Sequence, residues 1–237
     1  MRILALDAAT EACSVSLWCD GEETGRSSES GKSSAPQLLS MVDACLAEAQ
    51  LTLAALDGIA SSIGPGAFTG VRITVAVAQG LAFGAGLPVI PISTLEALAC
   101  QVLWLGDAGL APAGHAMACL DARMGEVYWG CFENDAALGV RAGTAPAVTP
   151  PQQVALPAGG PYLGVGRGFS AYPALAGLPR LRMVETLKTA LPQAREMARL
   201  GALRFSMGGG VDPAQLTPLY LRDKVALTTA ERAAQSQ

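Results

Sequence analysis

Leu4-Ala-Leu-Asp7-Ala-Ala-Thr10-Glu-Ala-Cys-Ser-Val15-Ser-Leu17 is answered in the second half of the chain by Ala118-Cys-Leu-Asp121-Ala-Arg-Met-Gly-Glu-Val127-Tyr-Trp129. Each passage runs an apolar stretch into Leu-Asp-Ala, breaks for a short turn and resumes with a valine-bearing strand, so Asp121 answers Asp7 and Val127 answers Val15. Internal similarity of this kind marks a fold built from two copies of one supersecondary unit. Two strand-hairpin-helix units with an acid at each first-strand end predict an α/β protein of two lobes with a cleft between them. The second copy is thinner in pattern and is expected to be reduced.

Working outward, Arg2–Asp7 is a short apolar strand, and residues 13–18 alternate, with Cys13, Val15 and Leu17 on one face. Asp20-Gly21 supplies a hairpin turn. Leu38, Leu39, Val42, Cys45, Leu46 and Ala49 follow helical spacing, with Ser34 as N-cap and Pro36 in the first turn. A short strand at 58–63, a Gly/Pro loop at 64–70 and a helix at 71–83 stopped by Gly84 and Gly86 come next. Val89–Ile92 is a buried strand, and Ser93-Thr94-Leu95-Glu96 matches a capping box opening a helix to about Leu103. Residues 106–114 resemble an interdomain linker. Beyond it a helix is expected at 151–156, a strand at Tyr162–Val165 and a helix at 192–205. The predicted division is 1–107 for the first lobe, with 215–230 packing back on it, 108–214 for the second, and a frayed tail at 231–237.

Composition restricts the function classes. The 237 residues are 51% hydrophobic and 15% charged, with 27 Gly and 15 Pro, which describes a packed protein with many turns. Lys+Arg 16 against Asp+Glu 20 gives a net charge of −4, a poor basis for gripping nucleic acid unaided. The six Cys are scattered among apolar residues without metal-ligand spacing and read as buried reduced thiols. The apolar run before Asp7 is too short for a signal peptide, and the apolar stretch 71–92 is interrupted by Arg72, Gln79 and Pro88. A cytoplasmic location away from membranes is expected.

For chemistry, Asp7 and Thr10 stand where actin-like ATPases and sugar kinases hold a metal-bound phosphate, with Asp121 expected across the cleft. A strand-end acid that merely caps its turn looks the same in sequence. Ala9 stands where that phosphate turn usually has Gly, so the backbone cannot approach a phosphate as closely. Residues 64–72, Gly-Pro-Gly-Ala-Phe-Thr-Gly-Val-Arg, lie between a strand and a helix, where Gly64 and Gly66 fit either an anion cradle or a turn needing close packing. Gly31-Lys32-Ser33 imitates the end of a P-loop without its first Gly and is set aside. His115 is the only histidine, which argues against multi-His metal sites and Ser/His/Asp hydrolysis, and it is expected to be a solvated linker residue. Ala76, Gly80 and Gly84 form a small-residue stripe that fits close approach of another element, or of the chain's own sheet.

The opening ILALDAATEACSVSLW, the block GPGAFTGVRITVAVAQGLAFGAGLPV, the segment STLEALA, the second-half LDARMGEVYW and the closing TPLYLRDKVA together resemble the TsaB (YeaZ) family. The resemblance covers nearly the whole chain and is weakest between Cys131 and Met207. It implies a duplicated actin-like/Hsp70-like/sugar-kinase (ribonuclease H-like) fold. It further implies a bacterial, non-catalytic scaffold for tRNA N6-threonylcarbamoyladenosine synthesis beside the anticodon, in which the paralogue TsaD carries the chemistry and TsaE joins. The paralogue's His-x-x-x-His metal pair has no counterpart at residues 33–39, and Ser34 stands where many family members keep one His. Protease activity and a resident metal are not expected. Docking of TsaD, and homodimerisation without it, are implied for helices at 36–49 and 71–83, giving Leu38, Leu39, Val42, Cys45, Arg72, Ala76, Gly80 and Gly84 as contact residues. Contact with tRNA is implied only through the complex. No cofactor is firmly implied; ADP or ATP at the partner interface stays open. The rival reading is an actin-like ATPase or small-molecule kinase using Asp7, Thr10 and Asp121.

Overall fold

The computed structural model describes residues 1–29, 34–104 and 114–222. The P-loop-like residues 31–33, most of the linker segment 106–114 and the tail 231–237 lie outside the described residues.

The first half contains β1 (Arg2–Asp7), β2 (Cys13–Cys19), β3 (Glu22–Ser28), α1 (Ala35–Glu48), β4 (Gly58–Ser62), α2 (Phe68–Ala85), β5 (Val89–Ile92) and α3 (Thr94–Leu103). The second contains β6 (His115–Arg123), β7 (Glu126–Asp135), β8 (Gly139–Ala142), β9 (Ala147–Thr149), β10 (Tyr162–Val165), α4 (Gly168–Ala171), β11 (Leu181–Met183) and α5 (Ala194–Ser206). The first sheet runs β3-β2-β1-β4-β5 and the second β11-β10-β6-β7-β8, with β9 also on β7. In each, a central strand pairs antiparallel with the strand after it and parallel with a later one. The two sheets are thus the same path laid down twice, the actin-like duplication. The reduction of the second lobe lies in its helices: four-residue α4 follows β10, where 18-residue α2 follows β4. The helix expected at 151–156 is only a single 3-10 turn, Pro151–Gln153, which ends where Val154 adopts extended backbone.

Two predicted caps form. Ser34 Oγ accepts from Gln37 N–H at 3.3 Å, and Ser93 and Glu96 make the reciprocal capping box. Gly86, not Gly84, terminates α2, because it adopts φ +66°, a conformation costly for residues with a Cβ. By length and composition α2, with mean hydropathy 1.3, could cross a membrane; here Val71, Thr74, Val75, Ala78 and Ala82 bury one face of it on the first lobe.

Between the sheets lies an inner core in which α3 packs on the second sheet and α5 on the first. The sequence reading grouped α5 with the second lobe. Instead Gly201 rides so close to the first sheet that a Cβ there would stand 2.8 Å from the Ala60 methyl, and Ala194 N–H donates to Ser14 Oγ at 2.9 Å. Helix α5 thus covers the inner face of the first sheet as α3 covers that of the second. Arg204 at the far end of α5 pairs with both oxygens of Glu96, at 2.9 and 3.1 Å, tying α5 to the cap of α3. His115 is no linker residue: it begins β6 opposite Glu133, half-buried, its ring 5.2 Å from that of Tyr162. Five of the six cysteines are buried, Cys19 partly exposed, and all are free; burial pushes the thiols of Cys13 and Cys131 up to about 11, away from nucleophilic use.

Candidate functional site

The loop at 64–70 closes on the turn that follows β1. After β4 the chain turns at Gly64, φ +96°, and Ala67 N–H donates to the Ala9 carbonyl at 2.7 Å. A Cβ on Gly66 would lie 2.2 Å from Ala9 O, and one on Gly70 2.0 Å from Ala8 O. Thr74 Oγ1 accepts from Ala8 N–H and donates to Gly70 O, both at 3.0 Å. These glycines are required by the approach of one main chain to another, and the Ala67 N–H that an anion would need is already used.

Asp7 is fully buried at the heart of this arrangement. Its Oδ1 accepts from Ala9 N–H at 3.1 Å, while Oδ2 and the nearby Ser62 Oγ have no hydrogen-bond partner among the described residues. Burial pushes its carboxyl up to about 6, against the pull of the Ala9 and Ala8 amides. Asp7 lines no cavity among the described pockets. Thr10, Gly66 and Asp121 do come together, with Glu11, Arg123 and Arg167, around an interlobe cleft of about 250 Å³. Ion pairs span it: Arg123 to Glu11 at 3.1 Å, Arg167 to Glu11 at 3.8 Å and Arg167 to Glu29 at 2.8 Å. Asp121 is engaged locally, accepting from Arg123 N–H at 2.8 Å and pairing with its guanidinium at 3.3 Å.

The equivalence of Asp7 and Asp121 does not hold in three dimensions. Val15 pairs with Leu6, whereas Val127 pairs with Asp121. Val15 and Val127 both face the outer cores, so Val127 does answer Val15, but Asp121 then answers Leu6. Strand side chains alternate, and a one-residue offset puts Asp121 on the outer face with Cys119, and Asp7 on the inner face with Ala5. The register irregularity between Asp121 and Arg123 leaves Ala122 at the place of Asp7. The two acids do not face one another as a phosphate-metal pair would require. Among the described residues no group of three or more His, Cys, Asp or Glu is placed to hold a metal.

One repeated feature escaped the sequence reading. Gly166-Arg167-Gly168 follows β10 as Gly64-Pro65-Gly66 follows β4, with Gly166 at φ +116°. A Cβ on Gly166 would stand 2.2 Å from the Cys119 carbonyl oxygen. Both halves close a glycine loop on their central strand. The signal was a bare Gly-x-Gly after a predicted strand, too short to register without the partner loop's geometry.

Away from the cleft, α1 and α2 leave a groove of about 660 Å³, lined by Leu39, Phe68, Arg72, Ile73, Ala76 and Gly80 among others. Ala76, Gly80 and Gly84 all face outward, and a Cβ on either glycine would meet nothing within 4 Å, so the stripe does not pack on the chain's own sheet. Leu39 is 40% exposed and Phe68 44%, a degree of exposure that leaves their apolar surface free for contact. Leu38, Val42 and Cys45 are a correction: they are buried against the first sheet, Cys45 Sγ reaching the Val15 carbonyl at 4.0 Å, and cannot meet a partner. The helix has one stripe for each purpose, and the residues one position along from Leu38 belong to the open one. Arg72 stands at the rim, its guanidinium 3.7 Å over the Phe68 ring and its Nε donating to Tyr220 Oη at 2.8 Å. Residues 211–220 run back along the first lobe: Val211 bridges Val89, Leu219 N–H donates to Ile63 O at 2.7 Å, and Gln79 donates to the carbonyls of Pro213 and Leu216, before Arg222 crosses to the second lobe, pairing with Glu126 and donating to Ala122 O at 3.2 Å.

Comparison with known proteins places this architecture. The family model described as TsaD, tRNA N6-adenosine threonylcarbamoyltransferase, matches residues 28–161. The tRNA threonylcarbamoyladenosine biosynthesis protein TsaB of Escherichia coli (strain K12) is 39% identical over 232 residues, 95% of this chain and 96% of that one. The protein of the same name from Haemophilus influenzae is 34% identical, covering 95% of each chain. YeaZ from Pseudomonas aeruginosa superposes with a TM-score of 0.82 at 37% identity, covering 93% of this chain and 99% of its own. A second solved structure from that organism, described as similar to peptidase YEAZ, gives the same score at 38% identity. With duplicated sheets, closed glycine loops and end-to-end similarity to these proteins, the chain belongs to the TsaB (YeaZ) family.

Proposed function

We propose that this chain is a non-catalytic subunit in the synthesis of N6-threonylcarbamoyladenosine beside the anticodon of tRNA, holding the catalytic paralogue TsaD on the open face of α2 and the neighbouring part of α1, with TsaE joining the complex. The supporting observation is the contrast between two surfaces. The groove over Ala76 and Gly80 is open and apolar, with glycines that admit another helix closely. The cleft that would house nucleotide chemistry is crossed by ion pairs, and Asp7, the acid that the rival reading needs, lies outside it, sealed from solvent. In the absence of TsaD the same face joins two copies of the chain. A net charge of −4 fits a subunit that meets tRNA only through its complex, in the cytoplasm.

The test is co-purification with TsaD and measured subunit affinity. Gly80→Leu, which fills the groove, is expected to abolish capture of TsaD; retention of full affinity would remove the α2 face from the interface. The rival ATPase or kinase reading has one favourable observation, the meeting of Thr10, Gly66 and Asp121 in one cleft. Calorimetry decides between the two. Micromolar ATP binding to the isolated chain, lost in Asp7→Ala, would favour the rival; ADP or ATP held only when TsaD is present would place the nucleotide at the interface.

A further inference from the structure

Among the described residues that line the α1–α2 groove, Arg72 alone carries a charge. Its side chain is exposed, yet its place is fixed. The guanidinium carbon lies 3.7 Å from the centre of the Phe68 ring and 5.8 Å from that of Tyr220, and Nε donates to Tyr220 Oη at 2.8 Å. The two rings stand 5.9 Å apart, and the main chain beside Tyr220 is anchored where Leu219 N–H donates to Ile63 O. Stacking and this one hydrogen bond leave both terminal nitrogens of the guanidinium open, and among the described residues it has no carboxylate partner.

Nothing near it opposes an incoming acid. Helix α2 contains no Asp or Glu, so none stands in its first turn to balance the positive end of the helix, and none lines the groove. Docking an apolar surface over the groove takes Arg72 out of water. A guanidinium covered without a carboxylate is costly, whereas one that meets a carboxylate makes two strong, parallel hydrogen bonds. The groove therefore discriminates among apolar helices by the charge they bring.

We infer that the occupant of the groove is a helix of the partner subunit that sets an aspartate or glutamate against Arg72, and that Arg72 selects this partner over a second copy of the chain. The inference rests on the docking reading given above and adds the chemistry of the contact. Arg72 lies one turn from Ala76 and two from Gly80, about 6 and 12 Å along the helix. The carboxylate thus belongs one to two turns from the small or apolar residues that pack over Ala76 and Gly80. A second copy fits less well. Its α2 brings another Arg72 and no acid, and of the two acids on its α1, Asp43 and Glu48, the latter is already paired with Arg26 at 2.7 Å. Tyr220 is a positioning residue, holding the guanidinium at the rim through its hydroxyl.

The experiment is calorimetric titration of TsaD with the full chain at low and high salt, with sedimentation of the chain alone to follow self-association. Arg72→Ala should weaken binding of TsaD by about tenfold or more, the size of a lost charge-assisted pair, and should flatten its salt dependence. Arg72→Lys should recover only part of the loss, since an ammonium has neither the fork nor the stack. Tyr220→Phe should weaken binding by about threefold, as for a neutral hydrogen bond. Because Arg72 is exposed, its variants should unfold at the temperature of the parent, and self-association should be unchanged or stronger. Unchanged TsaD affinity in Arg72→Ala overturns the inference; Gly80→Leu then shows whether docking on α2 survives without it. An equal loss in self-association overturns the selection and makes a second copy, through Asp43, the occupant.

Discussion

Ala67 donates its backbone N–H to the carbonyl oxygen of Ala9 at 2.7 Å, and this bond fastens the glycine loop ahead of α2 to the turn at the end of β1. The orientation of α2, and hence of the groove beside it, depends on that contact. Because the two backbones meet without side chains between them, the contact tolerates little added volume.

Gly70→Ala places a methyl where the Ala8 carbonyl oxygen stands, 2.0 Å away, and that oxygen belongs to main chain that cannot rotate aside. A loss of about 2–3 kcal/mol in unfolding free energy is expected, at the upper end of overpacking costs. Gly84→Ala is the matched control: its Cβ meets nothing within 4 Å, and it should gain up to about 1 kcal/mol from helix propensity. Urea midpoints of the two variants, opposite in sign relative to the parent, check the account.

Gly80→Leu separates binding from folding. The site is open and within α2, so the isolated chain should be as stable as the parent or more so by up to about 1 kcal/mol. Its affinity for TsaD should fall by about tenfold or more, the effect of about 1.4 kcal/mol or greater of steric misfit. Val42→Asp should do the reverse in kind: it buries a charge under α1 and lowers stability before it alters any surface.

Asp7 and Glu196 make stability depend on pH in a stated direction. Both are buried, and both have folded values above their ordinary ones, about 6 and about 7. The folded chain therefore binds more protons than the unfolded one in the interval between. Stability falls as pH rises from about 4, and for Asp7 the loss is complete above about 6. At pH 8 the Asp7 term is on the order of 3 kcal/mol, taken from its displacement at 1.36 kcal/mol per unit. Asp7→Asn should stabilise the chain at pH 8 and change little at pH 4; thermal unfolding at the two pH values measures the difference. An equal shift at both would refute the assignment to ionisation.

Glu96 has two tasks, closing the cap of α3 through Ser93 N–H at 3.1 Å and receiving both arms of Arg204 from α5. Glu96→Ala removes both and leaves Arg204, 18% exposed at its side chain, without its carboxylate. A cost of about 2–4 kcal/mol follows from a lost cap plus a broken, largely buried pair. Arg204→Met should cost less, since the cap survives and the stem is still packed. Chemical denaturation of the two variants ranks them.

Much of the first lobe was legible because its signals are local. The alternation at Cys13, Val15 and Leu17, the Ser34 cap and the Ser93–Glu96 box each depend on residues a few positions apart, and each forms as expected. Where the reading failed, distance was the reason. The acid of the repeat was aligned by its neighbours Leu and Ala, but strand register assigns faces with a period of two, and a single offset exchanged inside for outside. The helix α1 shows the same limit: Leu38 and Leu39 are equally apolar, and only the position of the first sheet decides that one is core and the other surface.

By itself, then, the sequence determined the duplication, the elements of the first lobe and the family, since these reside in composition, periodicity and ordered motifs. Only the tertiary structure decided that α5 lies on the first sheet, that Asp7 is sealed while Asp121 faces elsewhere, and that Gly66 and Gly70 are small for the sake of Ala9 and Ala8. Those outcomes are set by which surfaces remain for burial once both sheets exist, a property of the whole chain that no window of neighbouring residues contains.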